Sequence, residues 1–397
     1  MALIHFISNG VFTTSIAGGD IHFLKLAEGA AQAGHILNFY GGHALKEVIE
    51  KHGVPGTIKL TDDAAMPRVD TGALRGQLSM FRDFLGRYRR TMRLLGHIAE
   101  SHLAYAVSDY WFDVLPVVRC AARRKLMVLH MEAPRLPQIV ARSRPDVDPK
   151  RLASFHYWAS QEWSLRSFCE ERLKHLFYLH PLMEPRLRRL GVAPREMTLL
   201  SYGLDVAAAE AVPAQQREFD VVWIGRVHRQ KGIEDLLDTL MFLRASLPDL
   251  RVVFIGNVKA ALEPEVQRRG LRDAVMFPGF VSETEKIRLF KSSRVFLMPS
   301  KHEGSPRVIG ESIVAGTPVV AYDLENYRPL FGDCVRYAPA FNRHAFAETA
   351  LREVRAMRAG SNYLEGMDLT VFKRQNSWET TQEKFLAGLK RLLAEPG

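Results

Sequence analysis

Residues 295–321, VFLMPSKHEGSPRVIGESIVAGTPVVA, alternate between strand and helix patterns and decide the fold class of this chain. The apolar runs at the two ends of this stretch predict short, buried strands. Between them, Ser305 and Pro306 fit the N-cap and the first position of a helix, and Gly316 fits a left-handed helix end. A strand, a helix and a second strand in this order predict a βαβ unit and therefore a parallel sheet.

The turn before this helix has the features of an anion site. It lies at the carboxyl end of a parallel strand, where such sheets bind ligands, and the N–H groups of Gly304 and of the first helical turn suit a diphosphate. Glu303 and Glu311 flank the helix start, and ionised carboxylates accept hydrogen bonds from sugar hydroxyls. An isolated pair of glutamates is more often merely solvated, so the residues alone leave both interpretations open.

Four segments carry a family resemblance. HEGSPRVIGESIVAGTPVVA, residues 302–321, resembles the E-x7-E signature of retaining glycosyltransferases of family 4, also called glycosyl transferases group 1, which have the GT-B fold. Val221–Arg226 with Lys231-Gly232 resembles the family's phosphate-binding strand and loop. Val275–Val281 resembles its base-covering strand, and Asn376–Glu379 resembles its tryptophan motif. The resemblance is strong over residues 200–390 and weaker before them.

The resemblance implies an α/β architecture of two Rossmann-like, doubly wound domains that face a central cleft. Residues 1–206 would form the acceptor-side domain, and residues 218–375 would form the nucleotide-sugar domain. Residues 376–397 would be a crossover helix that returns to the first domain. The stretch Ala207–Arg217, which is rich in Ala and Gln, is interpreted as the linker between the domains.

The resemblance also implies catalytic roles. Glu303 would hold hydroxyls of the transferred sugar at the reacting centre. Arg226 and Lys231 would stabilise the negative charge that grows on the diphosphate as the glycosidic bond breaks. His130 ends a predicted strand and would face the sugar from the first domain, although a histidine in that position is by itself more often structural.

The donor-binding residues follow in the same way. Glu311 would hold the ribose, the backbone around the helix start would hold the diphosphate, and an aromatic turn would line the base pocket. A loop with Gly18-Gly19-Asp20 before a predicted helix Ile21–Ala33 is by itself a plain turn, and only the resemblance makes it face the donor. The predicted donor-binding residues are Gly18, Gly19, Gly225, Phe280, Val281, Gly304, Ser305, Pro306, Arg307, Val308 and Glu311.

The implied reaction is front-face transfer with retention of configuration, in which a donor phosphate oxygen takes the proton. It needs no metal and no cofactor, since the nucleotide sugar, UDP- or GDP-linked, is a substrate. The D-x-D pattern at Asp146-Val147-Asp148 lies in a Pro- and Arg-rich stretch and is interpreted as solvated coil. Residues 304–307 read Gly-Ser-Pro-Arg where many family members have Gly-Phe-Gly, which leaves the donor sugar open.

Composition indicates an ordinary globular chain. Of its 397 residues, 47% are hydrophobic and 25% are charged, which is typical of a soluble protein. Three scattered cysteines without a CxxC pair argue for a reducing compartment and against a disulfide framework or structural zinc. The opening MALIHFISNG is interpreted as a first strand rather than a signal peptide, and no apolar run approaches the ~20 residues that span a bilayer. We therefore expect a cytoplasmic protein.

The charge is concentrated in the first half. Residues 1–200 carry 27 basic and 19 acidic side chains, and the remainder carries 27 and 25, so the first half should face something acidic. A predicted amphipathic helix, Leu74–Ile98, either packs its apolar stripe on a sheet, which is favoured, or lies on an anionic membrane. Its stripe is Leu74, Leu78, Phe81, Leu85, Tyr88, Met92 and Leu95, and its flanking arginines are Arg75, Arg82, Arg87, Arg89, Arg90 and Arg93.

The acceptor is a glycan or lipid-linked hydroxyl in this interpretation, as in lipopolysaccharide or other cell-surface glycan synthesis, with peripheral attachment to the inner face of the plasma membrane. A GT-B epimerase acting on the nucleotide sugar alone and a nucleic-acid-modifying glycosyltransferase stay open, with nucleic acid the less favoured partner. A silent scaffold is disfavoured by the presence of both Glu303 and Glu311. A Rossmann dehydrogenase is disfavoured because no G-x-G-x-x-G follows the predicted strands.

Overall fold

The computed structural model describes residues 1–11, 18–63, 74–144, 147 and 151–396. The chain divides into two compact units, a first unit of Met1–Gly203 with Trp378–Gly397 and a second unit of Leu204–Ser377. Asp146 and Asp148 of the D-x-D pattern lie outside the described residues.

The secondary structure alternates between strands and helices along most of the chain. The strands are β1 (Leu3–Ser8), β2 (Ile36–Gly41), β3 (Thr57–Leu60), β4 (Leu103–Ala106), β5 (Arg124–Leu129), β6 (Leu173–Tyr178), β7 (Met197–Leu199), β8 (Phe219–Ile224), β9 (Val252–Ile255), β10 (Val275–Gly279), β11 (Ser293–Met298), β12 (Val319–Tyr322) and β13 (Arg336–Ala338). The α-helices are α1 (Gly18–Gln32), α2 (His43–His52), α3 (Leu74–Leu95), α4 (Trp111–Arg119), α5 (Leu136–Ala141), α6 (Leu152–Cys169), α7 (Glu184–Arg189), α8 (Val206–Ala211), α9 (Ile233–Ser246), α10 (Lys259–Arg268), α11 (Glu283–Lys291), α12 (Arg307–Val314), α13 (Tyr327–Phe331), α14 (Arg343–Arg358), α15 (Thr370–Asn376) and α16 (Trp378–Ala394).

The first unit is built on a seven-stranded parallel sheet in the order β3-β2-β1-β4-β5-β6-β7. Successive side chains of a strand point to opposite faces, so Phe6 joins the core on one face while Ile7 joins the core on the other. The strand order reverses between β1 and β4, and this switch point places the carboxyl ends of β1, β4 and β5 side by side.

The second unit has a six-stranded parallel sheet in the order β10-β9-β8-β11-β12-β13. One continuous core of buried aliphatic and aromatic side chains packs its helices on the sheet. Here the order reverses between β8 and β11, so the turns that follow these two strands are neighbours. The predicted two-domain α/β fold is confirmed by these two sheets, and the last helix, α16, belongs to the first unit.

Two glycines allow α16 to pack closely within the first unit. A Cβ added at Gly388 of α16 would lie 2.8 Å from the ring of Phe177 in β6. A Cβ added at Gly29 of α1 would lie 2.9 Å from Gln382 of α16. Any larger residue would push the helix away from the sheet and from α1.

The stretch interpreted as a linker, Ala207–Arg217, contains most of α8. Asp205 caps this helix by accepting the N–H of Ala208 at 2.9 Å, and Ala209 is buried in a small cluster with Leu204. The chain passes from the first compact unit to the second between Gly203 and Leu204, earlier in the sequence than the predicted limit at residue 206. An alanine-rich helix of one and a half turns has too little periodicity to be recognised, and packing stabilises it here.

The basic amphipathic helix, α3, differs from its prediction in two ways. Arg87 was placed on a flank but is buried, since it pairs with Asp62 at 2.8 Å and donates to the carbonyl of Asn9 at 2.8 Å. The buried face runs through Phe84, Arg87, Thr91 and Leu95, whereas Leu78 and Phe81 of the predicted stripe are 55% and 46% exposed. The buried face of α3 is thus offset by about one residue from the predicted apolar stripe. Composition and spacing do not reveal this offset, because it depends on a buried ion pair.

Within the described part of the chain, no helix has the length and apolar character needed to cross a bilayer.

Candidate active site

Two turns of the second unit meet at its switch point and form the floor of the candidate site. The backbone N–H of Lys301, after β11, donates to the carbonyl of Gln230, after β8, at 2.7 Å. Gly232 has φ +65°, and a Cβ there would lie 2.0 Å from the carbonyl oxygen of Pro299. Only glycine combines this left-handed conformation with so close an approach, so the predicted Lys231-Gly232 segment is held against the turn that carries Glu303.

Lys231 and Glu303 form an ion pair at the centre of this junction. Nζ of Lys231 lies 2.6 Å from Oε1 of Glu303, and the two side chains are 17% and 11% exposed. A pair this shielded from water interacts more strongly than an exposed one. The pair places a fixed cation and a fixed carboxylate at the carboxyl ends of β8 and β11, where a ligand with a charged and a hydroxylated part can meet both.

The helix after Glu303 begins one residue later than predicted. Pro306, not Ser305, occupies the N-cap position, with φ −74° and ψ 95°, and it makes no side-chain cap. Residues before a proline avoid the helical region, which keeps Ser305 in the turn. The helix end agrees with its prediction, since Gly316 has φ +75° and the N–H groups of Gly316 and Thr317 donate to the carbonyls of Ile313 and Ser312, each at 2.9 Å.

Glu311, one turn into α12, lies between two cations that the sequence did not associate with it. Its Oε1 is 2.7 Å from Nε of Arg307 and 3.0 Å from Nζ of Lys286. Burial by itself would raise the pKa of Glu311, but the charges of Arg307 and Lys286 outweigh burial and hold the pKa below its ordinary value. Glu311 is therefore ionised at neutral pH, and the side chain of Arg307, expected to act through its backbone only, has a role in this cluster.

The remaining donor-side residues lie at the edges of this turn cluster. Arg226 is exposed and makes no hydrogen bond or ion pair with the described residues. Gly225, next to it, packs on Trp223, since an added Cβ would lie 3.0 Å from the indole ring. Phe280 is 88% exposed, and Val281 packs partly on the core. The surface of the second unit thus offers an unpaired guanidinium and an aromatic ring to a ligand.

On the first unit, the predicted Gly-Gly loop is the first turn of α1, since the helix begins at Gly18 rather than Ile21. Gly19 packs against His130, and an added Cβ would lie 3.5 Å from Cε1 of that imidazole. Nε2 of His130 donates to the carbonyl of Val107 at 3.2 Å, so Nδ1 is the acceptor nitrogen. Nδ1 is buried and finds no hydrogen-bond partner in the described ranges.

A cavity of about 470 Å³ opens beside Gly19 and His130, at the carboxyl ends of β1, β4 and β5. Its walls are mainly apolar and rich in aromatic rings, which is typical of small-molecule sites. The lining residues are Ser8, Gly10, Val11, Gly19, Asp20, Phe23, Met80, Phe84, Val107, Ser108, Tyr110, Phe112, Asp113, His130, Ala153 and His156.

Asp113 is a lining residue that the sequence analysis missed. Its carboxylate accepts the N–H of Asn9 at 2.7 Å and the hydroxyl of Ser108 at 2.5 Å. Burial raises the pKa of Asp113 to about 7, because the charged form loses its hydration. No sequence pattern marks Asp113 as a site residue. It lies inside the apolar run of α4, and only the folded sheet brings it next to Asn9, which follows β1.

The predicted residues therefore fall into one cluster on each unit. Glu303, Lys231 and Glu311 lie together with the start of α12 on the second unit, and Arg226 and Phe280 lie on its surface. His130, Gly18 and Gly19 lie together on the first unit, beside the cavity.

Comparison with known proteins finds a family model and several relatives that this chain resembles. Residues 208–352 match the family model for glycosyl transferases group 1. An uncharacterized glycosyltransferase of Methanocaldococcus jannaschii is 32% identical over 132 residues, which are 33% of this chain and 34% of that protein. A phosphatidyl-myo-inositol mannosyltransferase of Mycobacterium leprae is 24% identical over 292 residues, 66% of this chain and 76% of that protein.

A solved structure shows a similar fold. Anabaena HepE in complex with UDP and glucose superposes with a TM-score of 0.69 at 14% sequence identity, over 98% of this chain and 100% of that chain. Among the curated relatives, the match spans only about a third of the length of the Methanocaldococcus protein.

Proposed function

Because residues 208–352 match the model for glycosyl transferases group 1 and the chain has the GT-B fold, we propose that it is an enzyme of that group, one that transfers a sugar from a nucleoside-diphosphate sugar to a hydroxyl of an acceptor. The observation that carries this proposal is the Lys231–Glu303 pair, held at 2.6 Å beside the start of α12 at the switch point of the second sheet. A cation, a carboxylate and a helix N-terminus at this position suit a sugar linked to a diphosphate.

In the proposed reaction the second unit binds the donor. Arg226, Lys231 and the first turn of α12 stabilise the leaving diphosphate, and Glu303 accepts hydrogen bonds from hydroxyls of the sugar. Glu311 remains ionised between Arg307 and Lys286 and accepts the ribose hydroxyls. The ring of Phe280 stacks on the base, and the UDP bound to the HepE structure makes UDP the first nucleotide to test.

The configuration of the transferred sugar is retained in this proposal, through front-face transfer in which a donor phosphate oxygen takes the acceptor proton. No side-chain nucleophile, metal ion or cofactor takes part. The tests are the anomeric configuration of the product by NMR and the rate in the presence of EDTA. Inversion, or loss of the rate on chelation, contradicts this part of the proposal.

The donor site is tested by thermal shift with UDP, GDP, ADP and dTDP. We expect one nucleotide to raise the melting temperature of the wild type, since a ligand at about 100 times its Kd stabilises a fold by ~2.7 kcal/mol. The shift should be lost in Glu311→Ala and kept in the control Glu353→Ala, which removes a similarly buried glutamate from α14. Equal shifts in both variants would remove Glu311 from the site, and no shift with any nucleotide in the wild type would contradict a donor site.

The first unit binds the acceptor in this proposal. The cavity beside His130 has the size and aromatic lining of a site for a ring-shaped group, and His130 and Asp113 are among its polar lining residues. The acceptor class is a glycan or a lipid-linked hydroxyl, which the Mycobacterium leprae relative, a mannosyltransferase of a phosphoinositide lipid by name, supports. Synthesis of lipopolysaccharide or another cell-surface glycan is the corresponding role.

A lipid-linked acceptor predicts contact with an anionic membrane through α3. Leu78 and Phe81 are 55% and 46% exposed beside exposed arginines, the pattern of an interfacial helix. Replacing Arg75, Arg82, Arg89 and Arg93 by Gln should lower binding to vesicles that contain anionic lipid by roughly 100- to 1,000-fold, at ~1 kcal/mol per charge. Arg90 is left unchanged because it pairs with Asp63 at 2.8 Å.

The control for this experiment removes the same charge from the second unit, by replacing the exposed residues Arg251, Arg272, Arg355 and Arg374 with Gln. Sedimentation with the vesicles measures binding. If the two variants sediment alike, α3 has no specific role and the membrane part of the proposal is wrong.

A further inference from the structure

Asn326 makes an unusual pair of contacts with the turn that carries Glu303. It lies between β12 and α13 and is 6% exposed. Its side-chain amide nitrogen, Nδ2, donates to the carbonyl of Glu303 at 3.0 Å and to the carbonyl of Gly304 at 2.5 Å. Both acceptors are carbonyl oxygens, so the NH₂ group of the amide must be the one that faces them.

Asn326 also occupies the N-cap position of α13 but does not cap that helix through its side chain. Asparagine is among the preferred N-cap residues because its side-chain oxygen normally accepts an N–H from the first helical turn. Here the amide is directed to the neighbouring turn instead. The double hydrogen bond and the absent side-chain cap thus indicate that the side chain of Asn326 stabilises the turn that carries Glu303 and not its own helix.

The double hydrogen bond determines the direction of two peptide groups. The backbone has no cis peptide bonds in the described residues, and in a trans peptide the N–H points opposite to the C=O. With the carbonyls of Glu303 and Gly304 held toward Asn326, the N–H groups of Gly304 and Ser305 are directed away from it. Gly304 has no Cβ to restrict its dihedrals, so without this contact both peptides could rotate.

We propose that Asn326 is a positioning residue that orients the N–H groups of Gly304 and Ser305 toward the terminal phosphate of a nucleoside diphosphate. This inference rests on the proposed function and adds to it a residue outside the segments that resemble the family. Oriented N–H groups bind a phosphoryl oxygen without rearrangement when the ligand arrives, and freely rotating ones do not. The contribution of Asn326 should therefore be specific to the terminal phosphate.

The test compares a nucleoside diphosphate with the matching monophosphate by calorimetric titration, for the nucleotide that the wild type binds. In Asn326→Ala the ratio of diphosphate to monophosphate affinity should fall about tenfold, while the monophosphate affinity stays within about twofold. Asn326→Asp, which has the same shape but cannot donate, should lose at least as much. The control Asn342→Ala removes the cap of α14, where Asn342 accepts the N–H of Ala345 at 3.0 Å, and should leave the ratio unchanged.

The outcomes separate this inference from the proposed function. If the wild type binds no nucleoside diphosphate, the proposed function itself is contradicted. If the wild type binds the diphosphate and Asn326→Ala keeps the wild-type ratio, Asn326 does not position the turn. If Asn326→Ala weakens both nucleotides equally and melts at a lower temperature, its role is structural and the inference is likewise overturned.

Discussion

Replacing Glu303 by Gln should lower kcat for sugar transfer by about 10³-fold and leave the affinity for the nucleoside diphosphate unchanged or tighter. The sugar becomes positively charged in the transition state, and a fixed carboxylate in a site shielded from water stabilises that charge by several kcal/mol. Glutamine keeps the size of the side chain and can still accept a hydrogen bond, so the loss reports the charge. Lys231, without its partner at 2.6 Å, becomes more available to the diphosphate.

Steady-state kinetics and nucleotide titration on the same preparation measure the two effects. Glu325→Gln is the control, because it makes the same chemical change at an exposed glutamate that follows β12. A kcat within threefold of the wild type in Glu303→Gln would remove Glu303 from the reacting centre. An equal fall in nucleotide affinity would place it in ground-state binding instead.

Replacing Gly232 by Ala should destabilise the second unit by roughly 2–4 kcal/mol and abolish transfer. A left-handed φ of +65° costs an alanine ~1 kcal/mol, and its Cβ would also lie 2.0 Å from the carbonyl oxygen of Pro299, which belongs to the backbone and cannot rotate away. The only relief is to separate the turns after β8 and β11. That separation breaks the contact between Lys231 and Glu303 on which the site depends.

Gly360→Ala separates the cost of the left-handed dihedral from the cost of the steric overlap. Gly360 has φ +81°, and no heavy atom lies within 4 Å of an added Cβ, so this variant should cost only ~1 kcal/mol and keep its activity. Urea unfolding followed by circular dichroism compares the variants. If the two midpoints shift by the same amount, the steric argument at Gly232 is wrong and the cost is that of the dihedral alone.

Sequence reasoning works in this protein where local pattern and local chemistry coincide. Short apolar runs alternate with helical ones, so both parallel sheets could be predicted, and Gly316 could be assigned to a helix end because glycine is the residue that most often takes a left-handed cap. The segment around Glu303 and Glu311 could be located because its residues are contiguous in the chain. The predicted N-cap of α12, Ser305, is wrong by one residue, because a proline restricts the backbone dihedrals of the residue before it.

The residues that sequence reasoning missed have partners far along the chain. Lys286 reaches Glu311 from a different helix, and Asn326 reaches Glu303 from the far end of the next strand. Asp113 lies within the apolar run of α4 and accepts the N–H of Asn9, and Arg87 was predicted on a helix flank but pairs with Asp62. None of these contacts leaves a periodic signal.

The sequence by itself determined the fold class and the turn that carries Glu303, because strand, helix and cap preferences depend on the order of a few neighbouring residues. Only the tertiary structure decided the charges and orientation of the site. Whether Glu311 is ionised depends on Arg307 and Lys286, and the direction of the N–H groups after Glu303 depends on Asn326. Desolvation and hydrogen bonding act through space, so they exist only once the strands have brought distant residues together.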